Sequence, residues 1–95
     1  MLAILLSVVL SSFNVSITTA GGKTFVAIDV AYSETLTDPY QATFDVVFST
    51  PSGPETRTYV VITSEGISGN TGFFRIPAGY NITGYEMVSY GPYVE

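Results

Sequence analysis

The sequence has no cysteine, no histidine and no tryptophan, and only three basic residues in 95. Without cysteine there is no disulfide, no thiolate nucleophile and no zinc–thiolate site. Without histidine the commonest general base is missing. Serines are plentiful, but a serine nucleophile needs a base, and the one lysine, Lys23, falls in an expected turn. An enzyme is therefore not expected, nor is a cofactor. The basic residues Lys23, Arg57 and Arg75 are scattered and the net charge is -5. Nucleic-acid binding needs clustered Lys and Arg to displace counterions, so no nucleic-acid partner is expected. Attraction to anionic lipid fails for the same reason.

Charge of either sign is scarce: 12% of residues are charged, against about 25% in ordinary domains. Polarity comes instead from Ser, Thr, Asn and Gly. Low charge removes the repulsion that keeps proteins apart, which favours a surface built for self-contact. A chain of 95 residues makes one domain with a modest core. What is abundant is β-forming: Val, Ile and Thr, with seven Tyr and six Phe.

Period-two alternation and turn residues divide the chain into strands over 13–19, 24–32, 42–49, 56–63, 73–76 and 80–90. Ala20-Gly21-Gly22-Lys23 reads as a hairpin turn. Val26, Ile28, Val30 and Tyr32 share one face, as do Phe44, Val46 and Phe48. Residues 33–41, 50–55 and 64–72 read as loops. The expected fold is all-β, an immunoglobulin-like β-sandwich of six to seven strands over 13–95, preceded by an apolar N-terminal assembly segment over 1–12. The Cys…Trp…Cys signature of antibody domains is absent, so the likeness is one of architecture.

The first ten residues, MLAILLSVVL, are almost wholly apolar. As a signal peptide they would have an h-region of suitable length and a small-residue site at Thr18-Thr19-Ala20, but no Lys or Arg precedes the run. As a membrane helix they span only about 15 Å, half of a hydrocarbon core, and extending the run admits Ser11, Ser12, Asn14, Ser16, Thr18 and Thr19. No stable membrane span is expected. The third reading is burial by protein. Leu2, Leu5, Leu6, Val9, Leu10, Phe13 and Ile17 fit a helical stripe, whereas Phe13, Val15 and Ile17 alternate as a half-buried strand. A run apolar on all sides needs cover all round, more than a domain this small supplies. Each large apolar side chain left in water forgoes about 1.5–3 kcal/mol. Copies of the same chain are the expected partner, through Leu2, Ile4, Leu5, Leu6, Val8, Val9, Leu10, Phe13, Val15 and Ile17.

Asn14-Val15-Ser16 and Asn81-Ile82-Thr83 are N-glycosylation triplets, so N-linked glycans on Asn14 and Asn81 and an extracellular or cell-surface location are expected. Two acidic pairs are candidates for glycosidase chemistry, Glu34 with Asp38 and Asp29 with Asp45, and the expected role of all four is as solvated surface acids. Glu34 and Asp38 lack the spacing of a calcium loop. Tyr80, Tyr85, Tyr90 and Tyr93 crowd the C-terminal region and suit packing and an interface better than a ligand. The polar 64–72 segment lacks the ending of a phosphate loop.

An apolar N-terminal run (MLAILLSVVL) joined to a Ser/Thr/Gly-rich, sequon-bearing β domain resembles the pilin-type filament subunits of archaea. The resemblance is one of layout and covers the whole chain. It implies a structural subunit of an extracellular filament, with the N-terminal segment as a helix in the filament core and β domains outside. The apolar run here is shorter than that family's helix, with polar residues from Ser11. A donor strand that completes a neighbour's sheet is the other way to bury it. A monomeric β-sandwich that binds carbohydrate or protein is the alternative function.

Overall fold

The computed structural model describes residues 8–94. Six strands follow one another: β1 (Leu10–Ala20), β2 (Lys23–Tyr32), β3 (Tyr40–Thr50), β4 (Gly53–Thr63), β5 (Gly69–Ile76) and β6 (Asn81–Pro92). They form two three-stranded antiparallel sheets in the orders β1-β2-β5 and β4-β3-β6. The sheets stack with β4 against β5 along one side and β1 against β6 along the other. The described residues contain no helix, hence none long and apolar enough to cross a membrane.

The alternation in each strand decides which face is buried. In β2, Val26, Ile28, Val30 and Tyr32 point inward, and in β3, Ala42, Phe44, Val46 and Phe48 do so; all eight are buried. These central strands carry the core, completed by Val15, Val61, Ile76 and Leu36. At one end the 33–39 and 64–68 loops are laced by Leu36 N–H to Ile67 C=O (2.9 Å) and Gly66 N–H to Leu36 C=O (2.8 Å). Two-residue loops join β1 to β2 and β3 to β4. In the first, Gly21 (φ 59°) and Gly22 (φ 75°) both take the left-handed backbone of a type I′ turn, which only glycine adopts at little cost.

Three boundaries differ from the sequence expectation by three residues or more. Leu10–Ser12 belong to β1, not to a separate segment: Leu10 pairs with Tyr32 and Ser12 with Ala31, so the helical stripe fails at Leu10, Phe13 and Ile17, where hydrogen bonding to β2 outweighs local periodicity. β4 begins at Gly53. β5 begins at Gly69, inside the segment read as a loop. There Gly72 faces the opposite sheet, where a Cβ would meet the Phe74 ring at 2.9 Å and Val61 Cγ2 at 3.1 Å. The glycine is there because the sheets approach closely.

Candidate functional site

The acidic pairs do not assemble. Asp29 lies on β2 and Asp45 on β3, in different sheets. Each points outward and accepts a hydrogen bond from a threonine on its own sheet, Thr71 for Asp29 and Thr58 (2.6 Å) for Asp45. The two carboxylates therefore stand on opposite sides of the sandwich, away from any shared substrate. Glu34 and Asp38 are both exposed in the 33–39 loop, and no group of three ligand-type side chains converges among the described residues. Lys23 opens β2 beside the Gly-Gly turn.

One polar cluster is built with care. Glu55 and Arg57, on the inward side of β4, form an ion pair. The Tyr80 hydroxyl donates to Glu55 Oε1 (3.0 Å), and the Arg57 guanidinium lies over the Tyr80 ring, 5.1 Å from its centre. The Arg57 hydrogen bond, reinforced by Tyr80, holds the Glu55 carboxyl below its ordinary range, while Glu55 raises Arg57. Tyr80 also packs on Phe48. The clasp thus ties β4 to the residue just before β6.

The tyrosines of the C-terminal region separate. Tyr80 belongs to the clasp. Tyr85 packs edge-on against Phe13, and Tyr90 against Tyr32. Tyr93 is exposed and its N–H donates to the Pro39 carbonyl. They make no common stacking platform. Asn14 and Asn81 are both exposed, as glycan attachment requires.

The remaining feature is the seam where β1 of one sheet runs beside β6 of the other. Phe13 stacks on Phe44 (5.1 Å) and against Tyr85, yet is 37% exposed, and Tyr85 is 46% exposed. Leu10, Ile17, Ile82 and Met87 along the same seam are only partly covered. Among the described residues no charged side chain points into it: Glu86, the one charge on β6, stands opposite Asp45 on the outer face. The apolar interior is thus unfinished along this side.

Both strands at the seam are sheet edges, and they differ. β6 has bulges at Thr83 and Val88, carries Glu86 and ends in Pro92. Such irregularity discourages pairing with another chain. At the other two edges, β4 holds Pro54, Glu55 and Arg57, and β5 is short and carries Arg75. β1 has eleven residues, no charge, no proline and one irregularity, at Ser11. The type I′ turn makes Ala20 and Lys23 a hydrogen-bonded pair, so Thr18, Ser16, Asn14 and Ser12 bond to β2. The N–H and C=O groups of Phe13, Val15, Ile17 and Thr19 consequently point away from β2, along the open edge.

Of the residues expected at an interface, Leu2, Ile4, Leu5 and Leu6 lie outside the described residues. Val8 and Leu10 are half-buried, Val9 is exposed, and Phe13 stands at the seam. Val15 and Ile17 pack into the chain's own core. β1, including 13–17, pairs with β2 of its own chain across the two-residue turn. Sequence reading missed a second apolar patch on the outer face of the β1-β2-β5 sheet. Phe73 is 62% exposed there and lines a shallow depression with Phe25, Thr18 and Ala20. The signal was present, since two consecutive phenylalanines in a strand cannot both face inward.

No family model, curated protein or solved structure matches this chain. The site must be read from its own geometry.

Proposed function

We propose that the chain is a non-catalytic structural subunit of an extracellular filament, pilin-like in layout, that polymerises through its apolar N-terminal segment. The observation that carries this reading is the unguarded β1 edge. It continues directly from an apolar run and borders a seam whose interior is incomplete. Natural β proteins blunt such edges unless a partner covers them, and here three of the four edges are blunted. The exposed sequons at Asn14 and Asn81 support an extracellular setting and N-linked glycans.

The order β1-β2-β5 against β4-β3-β6 supports the immunoglobulin-like reading. It corresponds to strands A-B-E against C′-C-F, without counterparts of D and G among the described residues. The place of G would lie beside β6, at the open seam.

Negative-stain electron microscopy of the full chain and of a variant lacking residues 2–7 tests the function. The deletion stops at Ser7 because β1 begins at Leu10. Filaments from the full chain and none from a folded deletion variant are expected. A full chain that remains as small particles at high concentration defeats the reading. The second reading, a monomeric module that binds carbohydrate or protein, is favoured by Phe73 alone, whose exposed ring beside Phe25 suits stacking on a sugar. A glycan-array signal abolished by Phe73→Ala would turn the choice toward it.

A further inference from the structure

The filament reading leaves open what receives the N-terminal segment. We propose that residues 1–7 of one copy add as a strand to the free edge of β1 in a second copy, closing the β1–β6 seam. The inference rests on the filament reading and adds the acceptor.

Four observations point there. First, the free backbone groups lie on Phe13, Val15, Ile17 and Thr19, a seven-residue stretch that a strand of residues 1–7 would run alongside. At about 3.3 Å per residue both measure about 23 Å. Second, neither partner brings a charged side chain: residues 1–7 have none, and β1 has none. No charged side chain is desolvated when they meet, unlike at β4 or β5. Third, the segment alternates Leu2, Ile4 and Leu6 with Ala3, Leu5 and Ser7. A strand bonded to the outward groups of Phe13, Val15 and Ile17 places one of these sets over Phe13 and Tyr85. The set of large residues, Leu2, Ile4 and Leu6, fills the uncovered seam, and the smaller set faces outward beside Asn14 and Ser16.

Fourth, the chain enters β1 from the wrong end to cover its own edge. Val9 is tied just past the C-terminal end of β2, its C=O accepting from Ser33 N–H (2.8 Å) and its N–H donating to Ser33 Oγ (3.0 Å). Val8 lines a depression with Tyr40 and Tyr90 at that same end. Val8 therefore stands at the end of the sandwich, away from the edge that Phe13–Thr19 present. The bulged β6 edge supplies side chains to cover but no regular ladder, so hydrogen bonding falls to β1.

This contact is heterologous, segment of one copy to edge of the next. Such a contact repeats from copy to copy, and gives a filament where its rotation does not close into a ring.

The absence of cysteine makes the test direct. Ser16→Cys, on the outward face of β1, is combined in turn with Ala3→Cys, Leu5→Cys and Ser7→Cys, with Ile4→Cys as the opposite-face control. Mild oxidation of assembled protein should give a ladder of covalent oligomers from one of the first three, and monomer from the control and from Ser16→Cys alone. In parallel, Thr19→Pro removes an outward N–H and should raise the concentration needed for assembly about tenfold, the equivalent of about 1.4 kcal/mol.

Filaments that form normally with Thr19→Pro and never cross-link at these positions overturn the acceptor and leave the filament function standing. A single covalent dimer from Ser16→Cys alone also overturns it, in favour of β1 pairing with β1. If the full chain makes neither filaments nor cross-links, both fall together.

Discussion

Proline at neighbouring positions of β1 should have opposite consequences for folding. The hydrogen-bonding alternation sends the Thr18 N–H to β2, opposite Phe25, and turns the Thr19 N–H away from it. Thr18→Pro deletes a ladder bond worth about 1 kcal/mol and strands the Phe25 carbonyl, at a further ~1–3 kcal/mol. The total of about 2–4 kcal/mol is a large part of a small domain's stability. Thr19→Pro breaks no internal bond and alters an exposed residue, and proline is tolerated on an edge where the N–H faces solvent. Its cost should stay below about 1 kcal/mol. For a domain of this size each kcal/mol moves the thermal midpoint by about 4–8 °C. Thr18→Pro should lower the midpoint by roughly 10–30 °C and Thr19→Pro by less than about 8 °C. Far-UV circular dichroism of dilute protein reads both. Equal losses, or a larger loss at Thr19, would refute the β1 register and with it the set of free edge groups.

Three further outcomes follow from the packing and the titrating groups. Gly72→Ala places a methyl group within 2.9 Å of the Phe74 ring, so urea unfolding should show a loss of about 1–3 kcal/mol, as overpacking does. A loss-free variant would mean the sheets yield there. The Glu55 carboxyl is held low by Arg57, so its contribution is present above the unfolded value near 4.5 and lost as pH falls through the folded one. Thermal midpoints of the wild type and Glu55→Gln should differ at neutral pH and converge in acid; a constant gap would exclude the clasp. Burial, with Tyr40 and Tyr90 nearby, raises the Tyr32 phenol above its ordinary value of 10.0. Its stabilising preference for the neutral form holds below that pH and is lost as pH rises through the folded value. Among the described residues the Tyr32 hydroxyl has no hydrogen-bond partner, so Tyr32→Phe should retain neutral-pH stability and unfold at higher pH than the wild type.

How much of this was legible beforehand depended on whether a residue's role was set by its neighbours in sequence. The alternations Val26-Ile28-Val30-Tyr32 and Phe44-Val46-Phe48 needed only a pleated backbone and a core, and they are buried as the pattern indicated. The Gly21-Gly22 turn was equally local. Gly69–Gly72 read as a loop because strand propensity counts side chains, while these residues are held by pairing with Ile28–Ala31 and by Asn70 Nδ2 donating to the Ile62 carbonyl. Leu10–Ser12 could be helix or strand by period, and the partner that decided it lies beyond the turn, in Ala31 and Tyr32. The seam could not be read at all. It exists because β1 and β6, at opposite ends of the chain, edge different sheets on the same side.

The strand orders also govern when each sheet can close during synthesis. The β1–β2 and β3–β4 hairpins involve near neighbours and can form as they emerge. β5 must return to β2, and β6 to β3, across much of the chain. Contacts at such separations form slowly because loop closure precedes any reward. Until the last third of the polypeptide is made, two hairpins exist with their apolar faces bare and only each other to cover them. A chain with so little charge has a narrow interval in which to close its own sandwich before its bare faces meet those of another copy, and the rate of translation would set the yield of correctly folded protein.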